Sequence, residues 1–366
     1  MILAGDIGSS TSSLGLFKKG DNGTPELVTE GKYFSKDYPS MEAMVQEFLQ
    51  KNPPTETIHA ACFGISGPVE GGRGKIVGLS WEVTESSLCE LLMKLSWGVM
   101  DSSKCENSQT RIPVEVINSL GAIDYGNLET TVELESLTPG VSRSAHEDLS
   151  QRAWIAARNG LGEALLYWDK QDNNLIYSAS EGGNSSFAPR NQEEFDLLLY
   201  LLKRYSFVSY NKVLSETGLV NIYEFVRDSG KYGKESADLK NRLGKEKSMD
   251  VIIEMGLAKK DPLCEKALDL FVSIYGAEAG NLALKYAAWG GVYVGGTIAP
   301  KIIDKLRDGT FMKAFMEKQE EMKEKLSAIP VKVVMTPDIR LRGAAQRALD
   351  KEVIGRFVYS NVVGAG

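Results

Sequence analysis

The chain of 366 residues has only two histidines and four cysteines, and what this scarcity excludes narrows the chemistry first. A histidine-rich metal centre or a serine–histidine–aspartate triad would have to rest on His59 or His146, two isolated residues that read as structural. Cys62, Cys89, Cys105 and Cys264 lie far apart and make no CxxC pair. That removes both a disulfide framework and a thiolate zinc site, and suggests reduced thiols in a cytoplasmic protein. No run approaches the roughly 18 apolar residues of a membrane span, and the opening MILAGDIG lacks the basic region and apolar stretch of a signal peptide. Membrane insertion and export are therefore not expected. Positive charge is also short: a net charge of −7 argues against a nucleic-acid-binding surface. It does not argue against a nucleotide, which needs only a few local donors.

What is present is material for a large core. The chain is 43% hydrophobic and 25% charged, and it is longer than one compact domain usually needs, so two domains are expected. The 36 scattered glycines suit an α/β protein whose strand-to-helix turns come close to ligands. Strand-like runs occur at MILAGDIG, SLGLF, HAACFGIS, KIVGLSW and VEVIN, with an amphipathic SMEAMVQEFLQ between the second and third. A β-β-β-α-β-α domain of the ribonuclease-H-like kind has this order. The charged stretches at 127–150 and 228–249 read as surface excursions, and the boundary between small and large domains is placed near Asn118.

Beyond that boundary, GEALLYWD and NLIYSAS are separated by KQDN, which favours a hairpin. Helices follow at QEEFDLLLYLLKRY, GLVNIYEFVRD and SMDVIIEMGLAK. A long one begins with Asp261 as N-cap and Pro262 in its first turn. GGVYVGGTI and IPVKVVMT are strands. The terminal RGAAQRALDKEV is a helix suited to return to the first domain. The expected division is 1–117 with 338–366 as the small domain and 118–337 as the large one.

Three glycine-bearing turns can face a nucleotide: GDIGSST at 5–11, ARNGLG at 157–162 and GGVYVGGT at 290–297. The first two make hairpin tips that present backbone N–H groups to phosphate, and Gly295 and Gly296 stand past a strand end where an adenine ring can approach. Singly each is an ordinary turn, and none matches the P-loop or the GxGxxG fingerprint. Their order along the chain is more telling. Together with CFGISGPV, VINSLGAIDYG, EGGNSSFAPR and AGNLALK, they make the chain resemble the bacterial-type glucokinase family over nearly its whole length.

The resemblance implies a two-lobed actin-like ATPase fold with the ligand cleft between lobes, and transfer of the ATP γ-phosphoryl group to the 6-hydroxyl of glucose or another hexose. It implies that Asp6 holds Mg²⁺ through water, with Gly8, Ser10 and Thr11 in the first phosphate turn. Asn159, Gly160 and Gly162 fall in the second phosphate turn, and Gly295 and Gly296 in the adenosine segment. Asn118, Glu181, Asn184 and Asn211 fall at sugar-binding positions, and the family also implies a homodimer.

Departures cluster at those positions. The family places an aspartate after the asparagine to accept the sugar hydroxyl's proton; here it is Ser119, which is not a base near neutral pH. Asp124, five residues on, does not obviously replace it. Asn184 stands for a histidine, Asn211 for a glutamate, and Val77, Gly78 and Ser80 for threonine, asparagine and proline. Ser9 stands for a glycine, which costs about 1 kcal/mol if the turn demands positive φ. Ser13 replaces an arginine, Arg158 enters the second turn, and Thr297 replaces a glycine in the adenosine segment. Two readings stand: a hexose kinase strongly impaired by the loss of its base, or a glucokinase-like sugar- or nucleotide-binding or regulatory protein without catalysis, including a deliberately disarmed variant.

Overall fold

The computed structural model describes residues 1–21, 23–97, 112–119, 133–141, 150–169, 174–336 and 338–350. The chain divides into two compact units, Met1–Val132 with Asp338–Gly366, and Glu133–Pro337.

In the first unit, strands β1 (Ile2–Ile7), β2 (Thr11–Lys19), β3 (Pro25–Phe34), β4 (Ala60–Ile65) and β8 (Val114–Asn118) form one sheet in the order β3-β2-β1-β4-β8. β1, β4 and β8 run parallel, with Ile7, Ile65 and Asn118 in register at their carboxyl ends. The polar, charged β3 was not apparent in the sequence, because as the outer strand of the sheet it has no continuous apolar run. Helix Met41–Lys51 is capped by Ser40, whose side chain accepts from the Ala43 amide at 3.3 Å. It buries Met41, Met44, Val45, Phe48 and Leu49 against one face of the sheet, the spacing of a single helical stripe. On the other face, a helix over 339–350 places Leu341, Ala344, Ala345, Ala348 and Leu349 against Ile2, Ala4, Phe17, Ala60 and Cys62.

KIVGLSW is not one strand. The small sheet of β5 (Val69–Glu70), β6 (Arg73–Lys75) and β7 (Glu82–Thr84) ends its middle strand at Lys75. The chain then turns, with Leu79 N–H donating to Ile76 O and Gly78 at φ +86°. A local turn there outcompetes the β propensity of Ile76 and Val77.

The second unit repeats the first unit's strand order. β9 (Leu134–Ser136), β10 (Arg152–Ala157), β11 (Leu161–Asp169), β12 (Asn174–Ser180), β13 (Val292–Gly296) and β14 (Val331–Val334) lie in the order β12-β11-β10-β13-β14-β9. A meander of three antiparallel strands is again followed by two parallel ones. The 127–150 stretch is not all surface excursion, since β9 pairs with β14 as an edge strand. Nor is 228–249, which holds helix Ala237–Leu243 with Leu239 buried. Both stretches are rich in charge because only one side of each element packs. Helix Pro262–Lys285 is capped by Asp261, whose carboxylate accepts from Leu263 N and Cys264 N at 2.9 and 3.1 Å. No helix among the described residues is long and apolar enough to cross a membrane. Cys62, Cys89 and Cys264 are buried; Cys105, Asp124 and His146 lie outside the described residues.

Candidate functional site

Each unit carries part of the expected site on its own sheet. In the first, the parallel strands bring Asp6, Ser66, Asn118 and Ser119 to one edge, the carboxyl edge where α/β sheets bind ligands. Asn118 Nδ2 donates to Gly67 O at 2.8 Å, which fixes the amide's orientation at the strand end. Ser119 is 3% exposed, its N–H bound to Ile65 O at 2.8 Å and its Oγ hydrogen-bonded to Ser66 Oγ at 3.5 Å. The residues that follow, 120–132, lie outside the described ones.

Arg340 is the residue that the sequence did not single out. Its Nη1 donates to Ser119 Oγ at 3.3 Å and stands 4.0 Å from Asp6 Oδ1, so a guanidinium bridges two positions more than 110 residues apart in sequence. The placement follows from strand and helix periodicity. Glu115, Ile117 and Ser119 share one face of β8, and Arg347 pairs with Glu115 through two hydrogen bonds at 2.7 and 2.9 Å. Seven residues earlier on the same helical stripe, Arg340 falls opposite Ser119. The only sequence signal was the spacing of the two arginines beside the apolar Leu341, Ala344 and Ala348.

The turn at 7–11, expected to meet phosphate, is held from beneath. Ser35 Oγ donates to Gly8 O at 2.6 Å and is hydrogen-bonded to Ser12 Oγ at 2.8 Å, while Ser35 N donates to Ser10 O at 3.0 Å. Thr11 is exposed and Ser10 partly so, leaving hydroxyls at the tip. Among the described residues the non-glycine residues with positive φ are Lys259 and Ala287, so Ser9 does not carry the strain expected of it.

In the second unit the expected sugar residues meet in one chain of hydrogen bonds. Glu181 Oε2 accepts from Asn184 Nδ2 at 2.8 Å, Asn184 Oδ1 from Asn211 Nδ2 at 2.7 Å, and Asn211 Oδ1 from the Leu161 amide at 2.6 Å. The two asparagines therefore satisfy each other and tie the Glu181 loop to the phosphate turn. That turn is in turn docked on a helix N-terminus. Arg158 N donates to Gly160 O at 2.9 Å and Arg158 O accepts from the amide of Glu216, which opens helix Glu216–Asp228. Asn159 is exposed at the tip, and Gly162 lies in β11. Replacing Asn211 with leucine should strand the Leu161 amide and release Asn184. We expect a loss of about 2 kcal/mol, measurable by chemical denaturation.

Gly295 and Gly296 are the last two residues of β13 rather than residues past its end. The space beside Gly295 is taken by the Trp154 indole, to which an added Cβ would come within 2.4 Å. Gly296, at φ +96°, turns the chain toward Thr297. The Thr297 hydroxyl donates to Glu216 Oε1 at 3.2 Å, so this side chain is tied to a helix.

Behind the Glu181 loop lies an acid that the sequence reading missed. Glu163 is 2% exposed, and its Oε1 has no hydrogen-bond partner among the described residues. An added Cβ on Gly182 would fall 1.9 Å from Glu163 Oε2, so the loop packs directly on this carboxyl. Burial, then the nearby Glu278, pushes its pKa up to about 7 against the opposing Lys285. Glu278 is itself fully buried and bound by Lys285 Nζ at 2.9 Å and Asn281 Nδ2 at 2.8 Å.

Comparison with known proteins accords with these parts. The family model described as Glucokinase matches residues 3–351. A glucokinase of Nostoc punctiforme is 35% identical over 360 residues, covering 94% of this chain and 98% of its own. The crystal structure of glucokinase from Balamuthia mandrillaris in complex with glucose superposes with a TM-score of 0.72 at 18% identity, covering 94% of each chain. A ROK-family glucokinase from Streptomyces griseus in complex with glucose and AMPPNP gives a TM-score of 0.61 at 16% identity, covering 95% of this chain and 98% of that one. The structural likenesses carry the actin-like ATPase fold, and the match over nearly the full length carries the rest: this chain belongs to the glucokinase family.

Proposed function

We propose that this protein binds a hexose and ATP and transfers the γ-phosphoryl group to the glucose 6-hydroxyl slowly, because position 119 offers a hydroxyl where the reaction wants a proton acceptor. The observation that carries this is the buried Ser119 Oγ beside Asn118, already accepting a hydrogen bond from Arg340. A serine hydroxyl so engaged is a poor base, yet phosphoryl transfer depends chiefly on positioning and electrostatics. Asn118 and Glu181 are the groups we assign to the sugar hydroxyls, following the family resemblance. The turns at Gly8–Thr11 and Asn159–Gly162 are the ones we assign to the nucleotide phosphates.

The donor set fits one kind of metal. Asp6 is a single carboxylate with Arg340 nearby, and no group of three or more His, Cys, Asp or Glu gathers among the described residues. This suits a Mg²⁺ that arrives with the nucleotide and keeps most of its water, held by Asp6 through that water. Once bound, it would neutralise charge on the β- and γ-phosphate oxygens. Asp6 would hold the ion through its water, Asn118 would orient the sugar, and Arg340 stands at the same strand edge.

The second reading, a sugar- or nucleotide-binding or regulatory protein without catalysis, is favoured by Ser119 and by the Asn184–Asn211 pair, whose amides bond to each other where the family resemblance implies a histidine and a glutamate. Formation of glucose 6-phosphate from ATP, Mg²⁺ and glucose at high protein concentration, with calorimetric titration of each ligand, separates the two. Slow, saturable product formation supports the kinase. Binding without product supports the second reading, and neither binding nor product defeats both.

A further inference from the structure

Arg340 and Ser119 touch through a geometry set by the whole helix 339–350, not by one flexible side chain. The apolar stripe of Leu341, Ala344, Ala345 and Ala348 fixes the helix on the sheet, and the two hydrogen bonds between Arg347 and Glu115 fix its register along β8. Arg340 is 11% exposed and Asp6 14%, so the guanidinium is largely withdrawn from solvent between a carboxylate and a hydroxyl. We propose that Arg340 is a positioning residue for the group at position 119, orienting it and setting the charge it can use. Ser119 and Arg340 then work as a pair, and a proton acceptor is restored only by changing both.

The physical reason is direct. Arg340 Nη1 donates to Ser119 Oγ, engaging a lone pair that would otherwise face an incoming hydroxyl and turning the serine's own hydrogen away from the arginine. A carboxylate placed at 119 would meet the same guanidinium. An opposite charge within about 4–6 Å favours the ionised form, so the new carboxylate would be held ionised and made a weaker base. Asp6, on β1, acts in the other sense as a like charge, while the Glu115–Arg347 pair lies on the same strand face four residues before Ser119. The inference rests on Ser119 standing where the reaction needs its base.

The test is a cycle of Ser119→Asp, Arg340→Gln and the double variant, with Ser119→Asp/Arg340→Lys as the charge-keeping control. Glucose 6-phosphate formation and melting temperature are read on each. The double variant with glutamine should form product at least about 10-fold faster than Ser119→Asp alone, and the lysine control should not. Ser119→Asp should raise the melting temperature when residue 340 is arginine or lysine, and not when it is glutamine. Equal rates in Ser119→Asp and the double variant, or a melting shift indifferent to residue 340, would overturn the proposal. If no variant forms product, the kinase reading fails while the melting cycle still decides the pairing. If Arg340→Gln does not fold, ¹³C NMR titration of the carboxyl in the Ser119→Asp protein decides it. A pKa below the ordinary value of about 3.9 is expected, and one at or above it counts against the pair.

Discussion

Glucose 6-phosphate formation by this protein should run about 10² to 10⁴ below the rate of a family member with a carboxylate at the position of Ser119, the range that a general base supplies. The deficit is expected mainly in kcat. The proton of the sugar hydroxyl is transferred in the transition state, so losing its acceptor removes an interaction absent from the ground state. KM for glucose should rise separately. A hydrogen bond to a charged group is worth roughly 1.5 to 3 kcal/mol, and Asn211 stands where the family resemblance implies a charged acceptor, so a rise of about 10- to 100-fold is expected. A residual rate is expected because phosphoryl transfer depends chiefly on positioning and electrostatics, which do not require the base. The pH–rate profile offers the cleanest signature: without a carboxylate base, the acid limb belonging to that base should be missing. A full rate with an ordinary acid limb would mean that another carboxylate reaches the sugar hydroxyl, and the reading built on Ser119 would fall.

Glu163→Gln should stabilise the protein above neutral pH and change little in acid. The Glu163 carboxyl is buried under the Glu181 loop, and its pKa is raised from 4.5 to about 7 chiefly by desolvation. A carboxyl raised in this way binds its proton more tightly folded than unfolded. The associated stability is fully present below about pH 4.5 and is lost as pH rises through about 7. At about 1.4 kcal/mol per pH unit, that interval amounts to at most about 3.5 kcal/mol of destabilisation by pH 8. Glutamine has nearly the same shape and no charge to bury, so it should recover most of this at pH 8 and nothing at pH 4. Urea denaturation of both proteins at the two pH values is the check. An equal difference at both would show that Glu163 is not titrating in this range. Because Gly182 packs on the same carboxyl, the variant should also tighten hexose binding at pH 8 relative to the unmodified chain.

Much of the fold was legible because it follows local rules. The buried strands β1, β4 and β13 are apolar runs, and the helices at Met41 and Pro262 carry their caps in sequence, whereas the equally apolar β10 was passed over. The other elements that were missed are those whose stability is not local. The polar β3 and the short β9 exist because a neighbouring strand offers hydrogen bonds, and helix Ala237–Leu243 exists because one leucine finds a core.

The same division runs through the site. Sequence by itself determined the family, the absence of a carboxylate at position 119 and the amide character of positions 184 and 211, since side-chain chemistry needs no coordinates. Only the tertiary structure decided what those residues meet. It joined Asn184 to Asn211 and Glu181, buried Glu163 beneath their loop, filled the space beside Gly295 with Trp154, and set Arg340 against Ser119 across more than 200 residues of chain. The reason is physical: whether a polar group is active, satisfied or costly depends on its partners and on water, and long-range packing chooses both.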